Sequence, residues 1–207
     1  LHFNKIDAVV IASVVPPLDQ TLTNMVHDCF QLTPLFVNHT VDTGLKILYD
    51  SPSDVGADRI VDAVAAVAKY GAPCIVVDFG AGTTFNAVNA AREFLGGVIA
   101  PGVMISAEAL FSRTAKLPRV EIKEPKKVIA RSTFEAIQSG LYYGYVGLVD
   151  RVLEKMIAEM NEKARVVATG GMAQPIAESS RFIENVDATL TLEGLRLVHE
   201  AHKKHKN

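Results

Sequence analysis

The chain has 207 residues, 49% hydrophobic and 21% charged, with 21 Lys and Arg against 23 Asp and Glu for a formal net charge of −2. That is enough apolar material for the cores of two compact lobes, and it is not the composition of a disordered chain. A general nucleic-acid or anionic-membrane binder needs a basic field to gather phosphate, so both classes are excluded. The one basic cluster, His202-Lys203-Lys204-His205-Lys206, reads as a solvated helix end. No apolar run approaches the ~20 residues of a membrane span, and no secretory leader is evident, so a cytoplasmic protein is expected. Cys29 and Cys74 both lie in apolar stretches and read as reduced core residues.

Apolar runs alternate with amphipathic segments, the pattern of an α/β protein. Asp7 to Val15 reads as a buried strand stopped by Pro16-Pro17, Leu18 to Phe30 as a helix, and Leu35 to Val37 as a short strand. Thr40 to Val55, with Gly44, Pro52 and several acids, reads as a loop region with a short turn of helix, and His39 at its edge as structural. Ile60, Val61, Val64 and Val67 are spaced for a helix over Asp58 to Tyr70, with Asp58 in its first turn. Beyond Gly71-Ala72-Pro73 come strands over 74–79, 83–89 and 94–100, a helix over Val103 to Ser112, and an extended charged connector from Lys116 to Ala130. The longest helix runs from Thr133 to about Asn161. Its Gly140, Tyr142, Tyr143, Gly144, Tyr145 and Gly147 predict one close-packing surface, for the core or for a second subunit. A strand over Arg165 to Thr169, the turn Gly170-Gly171, a short helix, a strand near Phe182 to Val186 and a helix from Thr191 to His202 follow.

The densest chemistry lies in Cys74-Ile-Val-Val-Asp78-Phe-Gly80-Ala81-Gly82-Thr83-Thr84-Phe-Asn86, where an apolar run delivers a carboxylate into a glycine- and threonine-rich turn. Glycines let backbone N–H groups approach phosphate oxygens, threonine hydroxyls add donors, and an acid at a strand end can hold a cation. A plain hairpin, with Gly80 and Gly82 supplying only backbone freedom, is the alternative reading of the same residues.

Five segments in order carry a resemblance: Gly56-Ala57-Asp58-Arg59, Asp78-Phe-Gly80, Gly96-Gly97-Val-Ile-Ala-Pro101-Gly102, Ala168-Thr169-Gly170-Gly171 and Leu190-Thr-Leu-Glu-Gly194-Leu. Together they resemble type III pantothenate kinase, within the superfamily of acetate and sugar kinases, actin and Hsp70, and the likeness spans essentially the whole chain. It implies an α/β, ribonuclease H-like two-lobe kinase fold, with 1–72 the remainder of the first lobe and 73–207 the second. It implies ATP-dependent phosphorylation of pantothenate, the first committed step towards coenzyme A, with Mg²⁺ accompanying ATP, a monovalent cation (K⁺ or NH₄⁺) and a homodimer. Two departures bear on this. The family's first phosphate loop, Asp-x-Gly-Asn-Thr, belongs ahead of the strand at Asp7, and the 207 residues do not contain it. The family's second loop usually reads Gly-Thr-Ala-Thr-Thr-x-Asp, where this chain has Ala81 and Asn86. From these departures come two further expectations: an activity impaired by the missing loop, and, as the alternative function, a non-catalytic relative with a decayed nucleotide site.

Individual roles combine chemistry with that resemblance. Asp58 is the candidate base that aligns the acceptor hydroxyl and takes its proton; a helix-end acid complementing the dipole is the alternative. Arg59 offers a permanently charged, planar donor set for the acceptor's carboxylate or amide. The resemblance adds Tyr49, Gly56, Ala57 and Thr133 to the pantothenate contacts. It assigns Gly80, Ala81, Gly82, Thr83, Gly170 and Gly171 to the nucleotide and Asp78 to the monovalent cation.

Overall fold

A computed structural model describes residues 6–113 and 117–206. Two sheets organise it. The smaller pairs β1 (Val10–Ile11) with β2 (Leu35–Phe36) in parallel, with α1 (Pro16–Phe30) between them in the chain. The larger has six strands in the order β3-β6-β5-β4-β7-β8. Its members are β3 (Lys46–Ile47), β4 (Cys74–Phe79), β5 (Gly82–Val88), β6 (Glu93–Pro101), β7 (Arg165–Gly170) and β8 (Asn185–Val186). β5 runs antiparallel to β4 and β6, while β7 is parallel to β4 and β8 to β7. A hairpin, a third strand and then parallel strands reached through helices is the ribonuclease H-like order.

Strand alternation sorts the helices. One face of the large sheet, through Ile75, Val77, Phe79, Phe85, Val166 and Ala168, packs on α3 (Val103–Ser112), α4 (Thr133–Met160) and α5 (Ala173–Ala177). The other, through Cys74, Val76, Val88, Phe94 and Val167, packs on α2 (Ala57–Tyr70) and α6 (Leu190–Lys206). The long helix ends as its sequence directs. Ser132 caps α4, its hydroxyl accepting the Glu135 N–H at 3.3 Å, and Asn161 closes it in the left-handed conformation at φ 51°.

Several expectations change. The strand over Asp7 to Val15 shrinks to Val10–Ile11, because the Ser13 hydroxyl turns back to the Asp19 carboxylate and accepts the Val15 N–H, which bends the chain into α1. Pro16 and Pro17 open that helix rather than precede it, where a missing N–H costs nothing. The 40–55 region has its short helical turn, a 3-10 turn over Pro52–Asp54, but also contains the unexpected β3. β3, expected as loop, pairs with β6 at the edge of the large sheet, and α2 packs on that sheet. Cys29 is exposed on α1, and only Cys74 is a core thiol, its pKa pushed up to about 12 by burial. The glycine and aromatic residues of α4 do not share one surface. Tyr142 and Tyr145 are buried against the sheet, whereas Gly140, Gly144 and Gly147 face outward. At 100° per residue, a run of adjacent positions is spread around the helix instead of lying on one side.

Candidate functional site

Three acids on α2 and at the end of β4 influence one another. Gly56 precedes the first turn of α2, and Asp58 follows two residues later, its Oδ1 accepting the Arg59 N–H at 2.8 Å. Asp62 is one turn further on the same face, 1% exposed, and receives a side-chain hydrogen bond from Thr191 of α6. Asp78, near the end of β4, is half-buried. Burial first, and then the charge of Asp58, pushes Asp78 up to about 6. Burial likewise pushes Asp62 up to about 7, against the Thr191 hydroxyl and aided by the charges of Asp78 and Asp58. Among the described residues no group of three His, Cys, Asp or Glu side chains is placed to hold a metal ion.

Arg59 builds the neighbouring half of the site. It is 5% exposed, its Nε donates to Asn86 Oδ1 at 2.6 Å, and its guanidinium carbon lies 5.6 Å from the Tyr49 ring centroid and 5.5 Å from that of Phe94. Nη2 is buried without a partner. Asn86 Nδ2 in turn donates to the Thr84 hydroxyl at 3.1 Å. Asn86 therefore supports Arg59 instead of standing at the mouth of the glycine turn, and its neutral amide leaves the guanidinium charge unbalanced.

The glycine turn is held from behind. Gly102 donates its N–H to the Ala81 carbonyl at 3.0 Å, an approach that a Cβ on Gly102 would block. Gly80 and Ala81 are exposed at the tip and Gly82 begins β5 half-buried. Thr83 points the other way. It is fully buried, its hydroxyl bonded to that of Tyr145, which also donates to the Pro101 carbonyl at 2.9 Å. Its side chain makes a core hydrogen bond, and Thr84, paired across the hairpin with Asp78, faces the α2 side of the sheet. Gly170, at φ 91°, gives its side-chain space to the protein itself. A Cβ there would sit 2.7 Å from Asp78 Oδ1 and from the Phe79 backbone, so of this glycine pair only Gly171 has an open side.

The structure thus brings Asp58, Arg59, Tyr49 and Asp78 to the α2 face of the large sheet, with Asp78 beside the Gly80–Gly82 turn. Thr133 is the exception. It is exposed at the start of α4, across the sheet from α2. Sequence reasoning missed Asp62, Phe94 and Thr191, and it did not separate Thr84 from Thr83. The four-residue step from Asp58 signals Asp62. Phe94 and Thr191 come from elements distant in sequence and have no local signal.

These features define an α/β protein of ribonuclease H-like topology, with acids gathered beside a glycine turn at the carboxyl ends of parallel strands. A conserved Baf family protein of Campylobacter jejuni has a similar fold, at TM-score 0.64 and 19% identity over 97% of this chain and 85% of its own. The family model for type III pantothenate kinase matches residues 1–155. The type III pantothenate kinase of Koribacter versatilis is 54% identical over 200 residues, 97% of this chain and 73% of that protein. The one from Pelobacter propionicus is 50% identical over 203 residues, 98% and 80% respectively. The chain belongs to the type III pantothenate kinase family.

Proposed function

We propose that the chain transfers the γ-phosphoryl group of ATP to the primary hydroxyl of pantothenate, giving 4′-phosphopantothenate for coenzyme A synthesis. Arg59 carries the reading. Its buried guanidinium, walled by Tyr49 and Phe94, has one nitrogen without a partner and no protein carboxylate to neutralise it among the described residues, and it adjoins the Asp58 carboxylate in the chain. An acceptor carrying a carboxylate or amide satisfies that nitrogen, and the alcohol end is left for Asp58. Asp58 aligns the hydroxyl and takes its proton as the new P–O bond forms; in such reactions positioning supplies most of the acceleration.

The remaining roles follow the same chemistry. Mg²⁺ with ATP supplies the transferable phosphoryl group and shields its charge. Gly80, Ala81 and Gly82 present backbone to the phosphates, with Gly171 nearer the base or ribose, and Gly56 and Ala57 border the acceptor. Asp78 takes a monovalent cation, K⁺ or NH₄⁺, whose charge offsets the burial that raises its proton affinity. Thr133, on the opposite sheet face, serves the acceptor site of a second copy in a homodimer, which also covers the open glycine face of α4. No helix among the described residues is long and apolar enough to cross a membrane, and we assign the reaction to the cytoplasm.

A coupled assay of ADP release with pantothenate tests the reading. Asp58→Asn is expected to lower kcat by about 100-fold or more with little change in KM for ATP. An unchanged kcat reduces Asp58 to a helix-end acid, and pantothenate-independent turnover by the unmodified enzyme overturns the substrate assignment.

A further inference from the structure

Asp62 has no role in the reaction as described, yet its position is costly. It is 1% exposed, its Oδ1 has no hydrogen-bond partner, and its one donor is the Thr191 hydroxyl. Arg59, on the same helix, turns away to Asn86 and the two aromatic rings, and no ion pair among the described residues includes Asp62. Buried carboxylates are tolerated when a charge or a cation compensates them. The charges that act on Asp62, those of Asp78 and Asp58, are of the wrong sign.

We propose that Asp62 joins Asp78 as a ligand of the monovalent cation, seated between α2 and β4 behind the Gly80–Gly82 turn. The inference rests on the proposed cation role of Asp78 and adds a second carboxylate to it. The unpartnered Asp62 oxygen provides the fit, because it is a buried acceptor within reach of the Asp78 charge and no cation is paired with it among the described residues. The donor set is oxygen alone, with two carboxylates and backbone carbonyls or water for the rest, which suits a hard cation and not a transition metal. The arrangement also ties the cation to both helices of this face. Asp62 belongs to α2, one turn from the proposed base, and its other contact is Thr191 of α6. Cation binding would thereby fix the catalytic turn of α2 against the phosphate turn.

Thermal unfolding without nucleotide, in KCl against choline chloride at equal ionic strength, reads the site independently of turnover. At K⁺ tenfold above its Kd the midpoint is expected to rise by about 3–6 °C in the unmodified chain. Asp62→Asn, near-isosteric and uncharged, is expected to fold and to need at least ~10-fold more K⁺ for the same rise, a loss of about 1.4 kcal/mol of binding. A K⁺ response in Asp62→Asn equal to that of the unmodified chain overturns the inference. The absence of any K⁺ response in the unmodified chain instead removes the Asp78 reading, and the inference with it. Mg²⁺ at the same charge concentration separates a divalent site, whose stronger response would also overturn the assignment. Should the variant not fold, carboxyl ¹³C resonances of the aspartate-labelled unmodified chain decide: two buried signals shifting together with K⁺ support the pair, and one shifting alone refutes it.

Discussion

The two faces of the large sheet are made from the same strands and reach opposite states of polar satisfaction. β5 shows this within four residues. Thr83 and Phe85 turn towards α4, where the Thr83 hydroxyl is bonded to Tyr145 and Phe85 is fully buried. Thr84 and Asn86 turn towards α2, where a guanidinium nitrogen and a carboxylate oxygen lie buried without partners. A core closes its hydrogen bonds internally because an unmade one costs about 1–3 kcal/mol. A binding surface leaves such groups open for what it will hold. The comparison therefore separates scaffold from site without reference to any ligand.

Breaking the closed face should cost stability most. Phe85→Ala removes a fully buried ring from the sheet centre and is expected to destabilise the chain by about 3–5 kcal/mol in urea unfolding. A cost under about 1 kcal/mol would mean that this face is not the principal core.

The open face should reveal itself through pH. Asp62 and Asp78 bind protons more tightly folded than unfolded, so the folded chain holds more protons from about pH 4 up to about 7, and stability falls as pH rises through that window. In potassium-free buffer the loss from Asp62 between pH 5 and 8 is expected to be about 2–3 kcal/mol, and Asp62→Asn should remove it. A pH slope identical in the variant would place the ionisation elsewhere.

A smaller effect is expected from Tyr145→Phe, which strips the hydroxyl shared by Thr83 and the Pro101 carbonyl while keeping the ring. It should cost about 1–2 kcal/mol and leave KM for pantothenate unchanged, since the residue lies behind the phosphate turn. A raised KM would extend the functional surface through the sheet. The smallest change is Gly144→Ala. A Cβ there meets nothing within 4 Å, so within one chain the substitution should stabilise α4 by about 0.5–1 kcal/mol. Sedimentation at micromolar concentration adds the second arm: weakened association in this variant would place the glycine face between subunits, and unchanged association would remove it from the dimer contact.

The sequence by itself determined the elements whose periodicity is long and unambiguous. The helix over Val103 to Ser112, the hairpin strands and the long helix from Thr133 fall where apolar spacing and capping residues put them. Asp58 and Arg59 were legible as a charged pair at a helix start, and Asp78 as an acid entering a glycine turn. What spacing could not show is which way a short polar side chain turns. Thr83 and Thr84 are chemically identical neighbours, and only the register with β4 and the presence of Tyr145 on α4 assign one to the core and the other to the site. The same limit hid the role of Asn86, which depends on a guanidinium 27 residues away, and that of Gly170, whose missing side chain makes room for Asp78. Tertiary packing also decided that β3 joins the large sheet, because a two-residue strand has too little pattern of its own and takes its place from the edge it meets. Local sequence fixes backbone preference, whereas the satisfaction of buried polar groups depends on partners far along the chain, and there the candidate site was decided.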